Sequence, residues 1–138
     1  MNQEEQLPSK MTHTAAFQTY GTKPRNANWS WSARSLDGKT VVVTLWKDEF
    51  KGRAGQMVYA RSDRGDWSDG PGYRFFMEDL AWARDNCSGI VRVIVANSKD
   101  EKGQTRRIAD CYPAPKLVMR VTHVEPETGA FALEQTVA

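Results

Sequence analysis

The chain has little with which to do covalent or metal chemistry. Among 138 residues there are two cysteines, Cys87 and Cys111, and two histidines, His13 and His123. Two cysteines are too few for a disulfide scaffold, and without CxxC or HxxxH spacing the four residues make no zinc pattern. GxSxG, HExxH and the glycine-rich phosphate loops are absent, which removes the hydrolases, metalloproteases and nucleotide-binding folds that carry them. No apolar run approaches the ~20 residues of a membrane-spanning helix. The opening MNQEEQLPSK has two glutamates and no apolar core. No secretory signal is therefore expected, both thiols are expected to be reduced, and the expected location is cytoplasmic. No cofactor, metal or membrane partner is expected.

What remains is the composition of a single globular unit: 15.6 kDa, 40% apolar and 26% charged residues. A chain of this length buries roughly two-thirds of its unfolded surface and needs no staple to fold. We expect a loose polar arm over residues 1–11 and one domain over 12–138. The net charge of +2 is mild but unevenly placed. Thr22 to Arg64 holds nine Lys or Arg against four Asp or Glu, a net of +5, whereas residues 1–21, 65–110 and 111–138 each carry −1. That segment is compatible with a polyanionic partner, and equally with an ordinary solvated face.

The local patterns set the element order. Thr12 or Thr14 is placed to cap a short helix ending at Tyr20, with Gly21 as its stop. WSWSARS and TVVVTLW flank Asp37-Gly38, the pair that favours a two-residue hairpin turn with positive φ at both positions. That register puts Trp29 opposite Trp46, Trp31 opposite Thr44 and Ala33 opposite Val42, all on one face. Ser30, Ser32 and Arg34 share the other face with Val41, Val43 and Leu45. Lys47 to Gln56 reads as a loop, Met57 to Arg61 as a third strand, and Ser62 to Gly72 as a long polar loop.

A helix is predicted from Tyr73 to Asn86. Tyr73, Phe76, Met77, Leu80, Ala83 and Cys87 form its core stripe. Phe75 and Trp82 lie on its opposite face, so either both sides are covered or two aromatics are exposed. Four strands follow: IVRVIVAN, QTRRIADCY, Leu117–Val124 and AFALEQ. Arg106-Arg107 interrupts the alternation of the second of these, where Asp110 could pair with one of the two. The expected class is α+β: a curved, mostly antiparallel sheet or partly closed β-barrel, with one main helix and a short N-terminal one.

Five tryptophans are present, and three of them, Trp29, Trp31 and Trp46, fall on one predicted hairpin face, with Lys47, Asp48 and Glu49 just beyond. An aromatic wall with a carboxylate at its rim suits a flat, hydrogen-bonding ligand such as a nucleobase. The other reading is that these rings form the core on which the main helix packs. Trp67 stands between aspartates in the Gly-rich loop, either as a finger that stacks on a ligand or as a plug that ties the loop down. Lys23, Arg25, Lys51, Arg53, Arg61 and Arg64 are candidate phosphate contacts.

At NWSWSARS–DG–TVVVTLWKDEF the sequence is similar to the PUA-like superfamily, which includes the SRA, EVE, YTH and ASCH groups. In particular it resembles the PUA-like modules attached to HNH endonucleases that restrict modified DNA. The similarity spans Asn28 to Phe50. The resemblance implies a small curved barrel flanked by helices, with a concave pocket that takes a flipped, often methylated base between aromatic rings. Trp29, Trp31 and Trp46 would then be pocket walls, Asp48 a base-edge acceptor and Ser30 a donor.

The chain is too short to hold a nuclease as well, and its histidines lie at 13 and 123. Cleavage would have to come from a partner nuclease chain. The expected function is a non-catalytic nucleic-acid-binding module, with DNA rather than RNA as partner. Two alternatives stand beside it. One is a protein-interaction domain that uses Trp67, Phe75 and Trp82 as an exposed patch. The other is a small-molecule enzyme with Cys111, His123 or Asp48 near the chemistry, although both cysteines sit in segments that read as packed structure.

Overall fold

The computed structural model describes residues 11–26, 29–62, 71–98 and 108–137. Helix α1 (His13–Thr19) starts where Thr12 accepts a hydrogen bond from the Ala15 N–H at 3.0 Å, and stops at Tyr20, followed by Gly21 at φ 75°. Strands β1 (Ser32–Arg34) and β2 (Val41–Trp46) pair antiparallel, with Ser32 opposite Val43, Ala33 opposite Val42 and Arg34 opposite Val41. This is the predicted register. The bend differs from the predicted one. Gly38 takes φ 72° but Asp37 does not enter the left-handed region. Instead Asp37 Oδ1 accepts from the Lys39 N–H at 2.9 Å and the Ser35 hydroxyl at 2.6 Å, which stabilises a wider loop closed between Ser35 and Thr40.

Strand β3 (Val58–Arg61) and helix α2 (Pro71–Asn86) follow, then β4 (Ile90–Ser98), β5 (Ile108–Pro113), β6 (Val118–Glu125) and β7 (Ala130–Thr136). The strand order is β1-β2-β4-β6-β7-β3, with β5 also on β4. Every ladder is antiparallel except β2 with β4. A parallel pair needs a crossover, which α2 provides. Strand β4 pairs with β6 through Ile90 and Val91 and with β5 through Ile94 to Ser98. The Pro113-Ala114-Pro115 break separates those two partners.

The fold is thus α+β, with two helices among the described residues and a seven-stranded, mixed, mostly antiparallel sheet. The barrel alternative is corrected. β1 and β3 end the strand order on opposite sides and do not pair, so the sheet is not closed.

Both faces of the sheet are covered where β2 and β4 lie side by side. On one side α2 lays Tyr73, Phe76, Met77, Leu80 and Ala83 against Val41, Val43 and Leu45 of β2, Val91, Val93 and Val95 of β4, and Met119, Phe131 and Leu133 beyond. On the other, Ala16 and Phe17 of α1 pack with Ala33, Val42, Trp46, Ile94, Ala96 and Cys111. All six residues of β2 are buried as a result. Burial of each large side chain here, such as Phe17, Phe76 or Leu80, contributes about 1.5–3 kcal/mol.

Candidate functional site

The three hairpin tryptophans part company. Trp31 and Trp46 remain together, ring centroids 5.2 Å apart at 53°. Trp46 is only 8% exposed. Their cover is α1: His13 meets the Trp31 ring edge-on at 5.9 Å, stacks on Phe17 at 4.7 Å, and places Nε2 2.7 Å from the Thr44 hydroxyl. Burial holds the His13 imidazole down to a pKa of about 4.

Trp29 lies elsewhere. The ladder ends before it, because the Ser30 N–H donates to the Asn26 carbonyl at 3.1 Å and the Ser30 hydroxyl accepts from the Asn26 N–H at 2.9 Å. That tight loop turns the indole toward α2, where it stacks on Phe75 at 5.7 Å and 12°. Trp46 therefore packs under the short helix, Trp31 lies between that helix and the Gly72 end of α2, and the three rings do not form one wall.

On its other side the hairpin meets a charged group that sequence reasoning missed. Asp79 of α2 has no exposed surface. Arg25 grips it with two hydrogen bonds, at 2.9 and 2.8 Å, Arg34 adds Nε at 3.0 Å, and the Ser32 hydroxyl donates at 2.5 Å. The hydrogen bond to Asp79 holds the Arg25 guanidinium above its ordinary range. Arg25 also lies 4.3 Å over the Phe75 ring, and Arg34 4.6 Å over Trp82. The signal was present in the spacing: Phe75, Asp79 and Trp82 fall at i, i+4 and i+7 on one helix face, opposite Ser32 and Arg34. Both sides of α2 are therefore covered. Trp82 donates its indole N–H to the Gly38 carbonyl at 2.8 Å. Of the proposed exposed patch, Phe75 and Trp82 are half-buried against the hairpin, and Trp67 lies outside the described residues.

Asp48 sits in a different setting. β2 and β4 run parallel, so their C-terminal ends open at the same edge of the sheet. There Lys47, Asp48, Ala96, Asn97 and Ser98 line a depression of about 310 Å³. A network fixes the short Lys47–Glu49 turn. The Trp46 N–H donates to the Tyr59 hydroxyl at 3.2 Å, that hydroxyl donates to Glu49 at 3.1 Å, and Arg61 pairs with the same carboxylate at 2.9 Å. Burial, and then the Glu49 charge, push the Tyr59 hydroxyl well above its usual range, which keeps it a donor. On the far wall the Asn97 amide donates to Asp110 at 2.7 Å.

The candidate cations divide. Arg25 and Arg61 are held in ion pairs, Lys23, Lys51 and Arg53 are exposed, and Arg64 lies outside the described residues, as does Arg106-Arg107. Lys51 and Arg53 occupy a tied loop rather than a slack one. Lys51 and Val58 exchange backbone hydrogen bonds at 2.8 Å in both directions, and the Gln56 N–H donates to Arg53 at 2.8 Å.

The thiols are poorly placed for nucleophilic work. Burial raises both, with Cys111 aimed at the Met11 carbonyl and Cys87 at that of Gly38. Activated thiols are lowered instead. His123 pairs with Glu125 at 2.8 Å on the exposed side of β6. Among the described residues, no group of three or more His, Cys, Asp or Glu is arranged to hold a metal, and no helix is long and apolar enough to cross a membrane. No family model, curated protein or solved structure matches the chain.

Proposed function

We propose that the chain is a nucleic-acid-binding module of PUA-like type that receives an unpaired or flipped base, from DNA rather than RNA, and does no chemistry on it. The observation that carries this reading is the depression at the paired C-terminal ends of β2 and β4, with Asp48 and Lys47 in its wall. Its volume is at the small end of ligand sites, which run ~300–1,000 Å³, and suits a group the size of one base. Asp48 would accept from an exocyclic amino group. Trp46 ends the strand beneath it, and the exposed Lys51 and Arg53 follow on the next loop, where they would meet phosphates. Any cleavage belongs to a partner nuclease chain.

The test is a titration of tryptophan emission with methylated and unmodified oligonucleotides, single-stranded and duplex, at low salt. Saturable quenching that weakens with salt is expected. Replacing Lys51 and Arg53 together by Gln should lower the slope of log K against log salt by about 1.5, since each phosphate contact contributes roughly 0.7–0.9. Asp48→Asn should weaken binding without changing that slope. The absence of quenching by every oligonucleotide would overturn the proposal.

A further inference from the structure

Helix α1 is seven residues long, and a helix that short has no stability of its own in water. It exists because it is docked. Its described attachments are the Met11–Cys111 backbone bridge, Ala16 and Phe17 in the apolar layer with Met11 and Tyr20 at its edge, the His13–Thr44 hydrogen bond, and the Tyr20 hydroxyl on the Val93 carbonyl at 2.9 Å. Beneath it lie Val42, Trp46, Ile94, Ala96 and Cys111, with Trp31 at the margin. The larger core on the α2 side takes no side chain from residues 11–20. The segment can therefore leave without dismantling the rest of the molecule.

We propose that α1 is an acid-released latch: as pH falls, Met11–Tyr20 lifts from the sheet as a unit and uncovers the Trp31–Trp46 face, while the α2 side stays folded. The trigger is His13, whose half-buried ring contacts Phe17, Trp31 and Thr44, all neutral. Among the described residues no carboxylate offsets the penalty of charging it, for burial is the cause that depresses its pKa. The other titratable groups on elements packed against α1 do not compensate. Tyr20 is pushed up to about 12 and stays neutral, Arg92 on β4 is a like charge, Cys111 is raised by burial, and Asp110 is engaged with Asn97. With the imidazole at about 4 when docked and ~6.5 when free, the released fraction grows roughly thirty-fold between neutral pH and pH 5.

Cys111, buried under Met11, reports the release. In a Cys87→Ser background its labelling by dithiodipyridine, normalised to free cysteine, is measured at pH 7.5 and 5.0, alongside hydrogen exchange of the α2 amides. The expected result is a rise of about thirty-fold in labelling, with the α2 amides at both pH values protected far more strongly than the thiol. In His13→Gln, or in His13→Phe if the first variant folds poorly, the rise should vanish. A rise in the His13 variants equal to the parent's, no rise in the parent, or α2 amides protected no better than the thiol would each overturn the proposal.

Discussion

Arg25 and Asp79, fifty-four residues apart in sequence, form a two-pronged ion pair in which the carboxylate has no exposed surface. The pair fastens the loop before β1 to the middle of α2, and Arg34 and Ser32 complete the coordination from the hairpin. Removing the carboxylate leaves two half-buried guanidinium groups facing each other. Asp79→Ala should therefore cost about 3–5 kcal/mol in urea unfolding. Arg25→Lys keeps the charge but loses the planar fork and the contact over Phe75, and should cost less than the Asp79 variant while remaining destabilising. A neutral result for Asp79→Ala would show that the network contributes nothing net.

The pH dependence of stability has a defined direction at His13. The folded chain holds this imidazole neutral down to about pH 4, and the unfolded chain protonates it near 6.5. Between those values the unfolded state binds the extra proton. The contribution is full above pH 6.5 and declines by about 1.4 kcal/mol per unit as pH falls toward 4. The parent should lose roughly 2 kcal/mol more than His13→Gln between pH 6.5 and 5, measured by urea midpoints at both values. Equal losses in the two proteins would contradict the assignment.

Gly38 is constrained twice. Its φ of 72° is left-handed, and a Cβ there would meet Trp82 Cζ2 at 3.0 Å. Gly38→Ala should destabilise by about 1–2 kcal/mol from the backbone penalty, with further cost from the crowded indole. Trp82→Phe should also destabilise, since it leaves the Gly38 carbonyl without the 2.8 Å indole donor. A thermal melt of each variant checks both.

One substitution should stabilise. Ser88, after the last turn of α2, sits at φ 56°, the sole non-glycine residue with positive φ among those described. Ser88→Gly relieves the clash between Cβ and the carbonyl, offset by the greater freedom of an unfolded glycine. A gain of up to about 1 kcal/mol is expected in urea unfolding, and a loss would show that the hydroxyl makes a contact of greater value.

The element order, the register of the first hairpin and the core stripe of α2 could all be read from the sequence, because each rests on local periodicity. Tyr73, Phe76, Met77, Leu80 and Ala83 are buried as that spacing requires. The parallel pairing of β2 with β4 was not foreseen. Its trace was there: VVVTLW and IVRVIVAN are apolar on both faces, as strands covered on two sides must be. The position of Trp29 could not be read, since it depends on whether Ser30 continues a ladder or closes a loop on Asn26, a choice of partner that periodicity does not encode. Asp79 was passed over for a similar reason. A carboxylate within a helix looks solvated until the arginines that surround it arrive from distant segments. Asp48 was singled out for standing beside an indole, and its neighbours across the depression, Asn97 and Ser98, became visible only once β4 lay alongside β2.

Strand β3 takes its ladder from β7, the last strand of the chain. During synthesis the third strand must wait without its ladder partner, tied only by the Lys51–Val58 bridge, until the seventh has been made. A ribosome paused anywhere before residue 130 holds a chain with Tyr59 and its neighbours uncovered. Shortening the C-terminus by one strand would therefore expose two segments of the protein, not one.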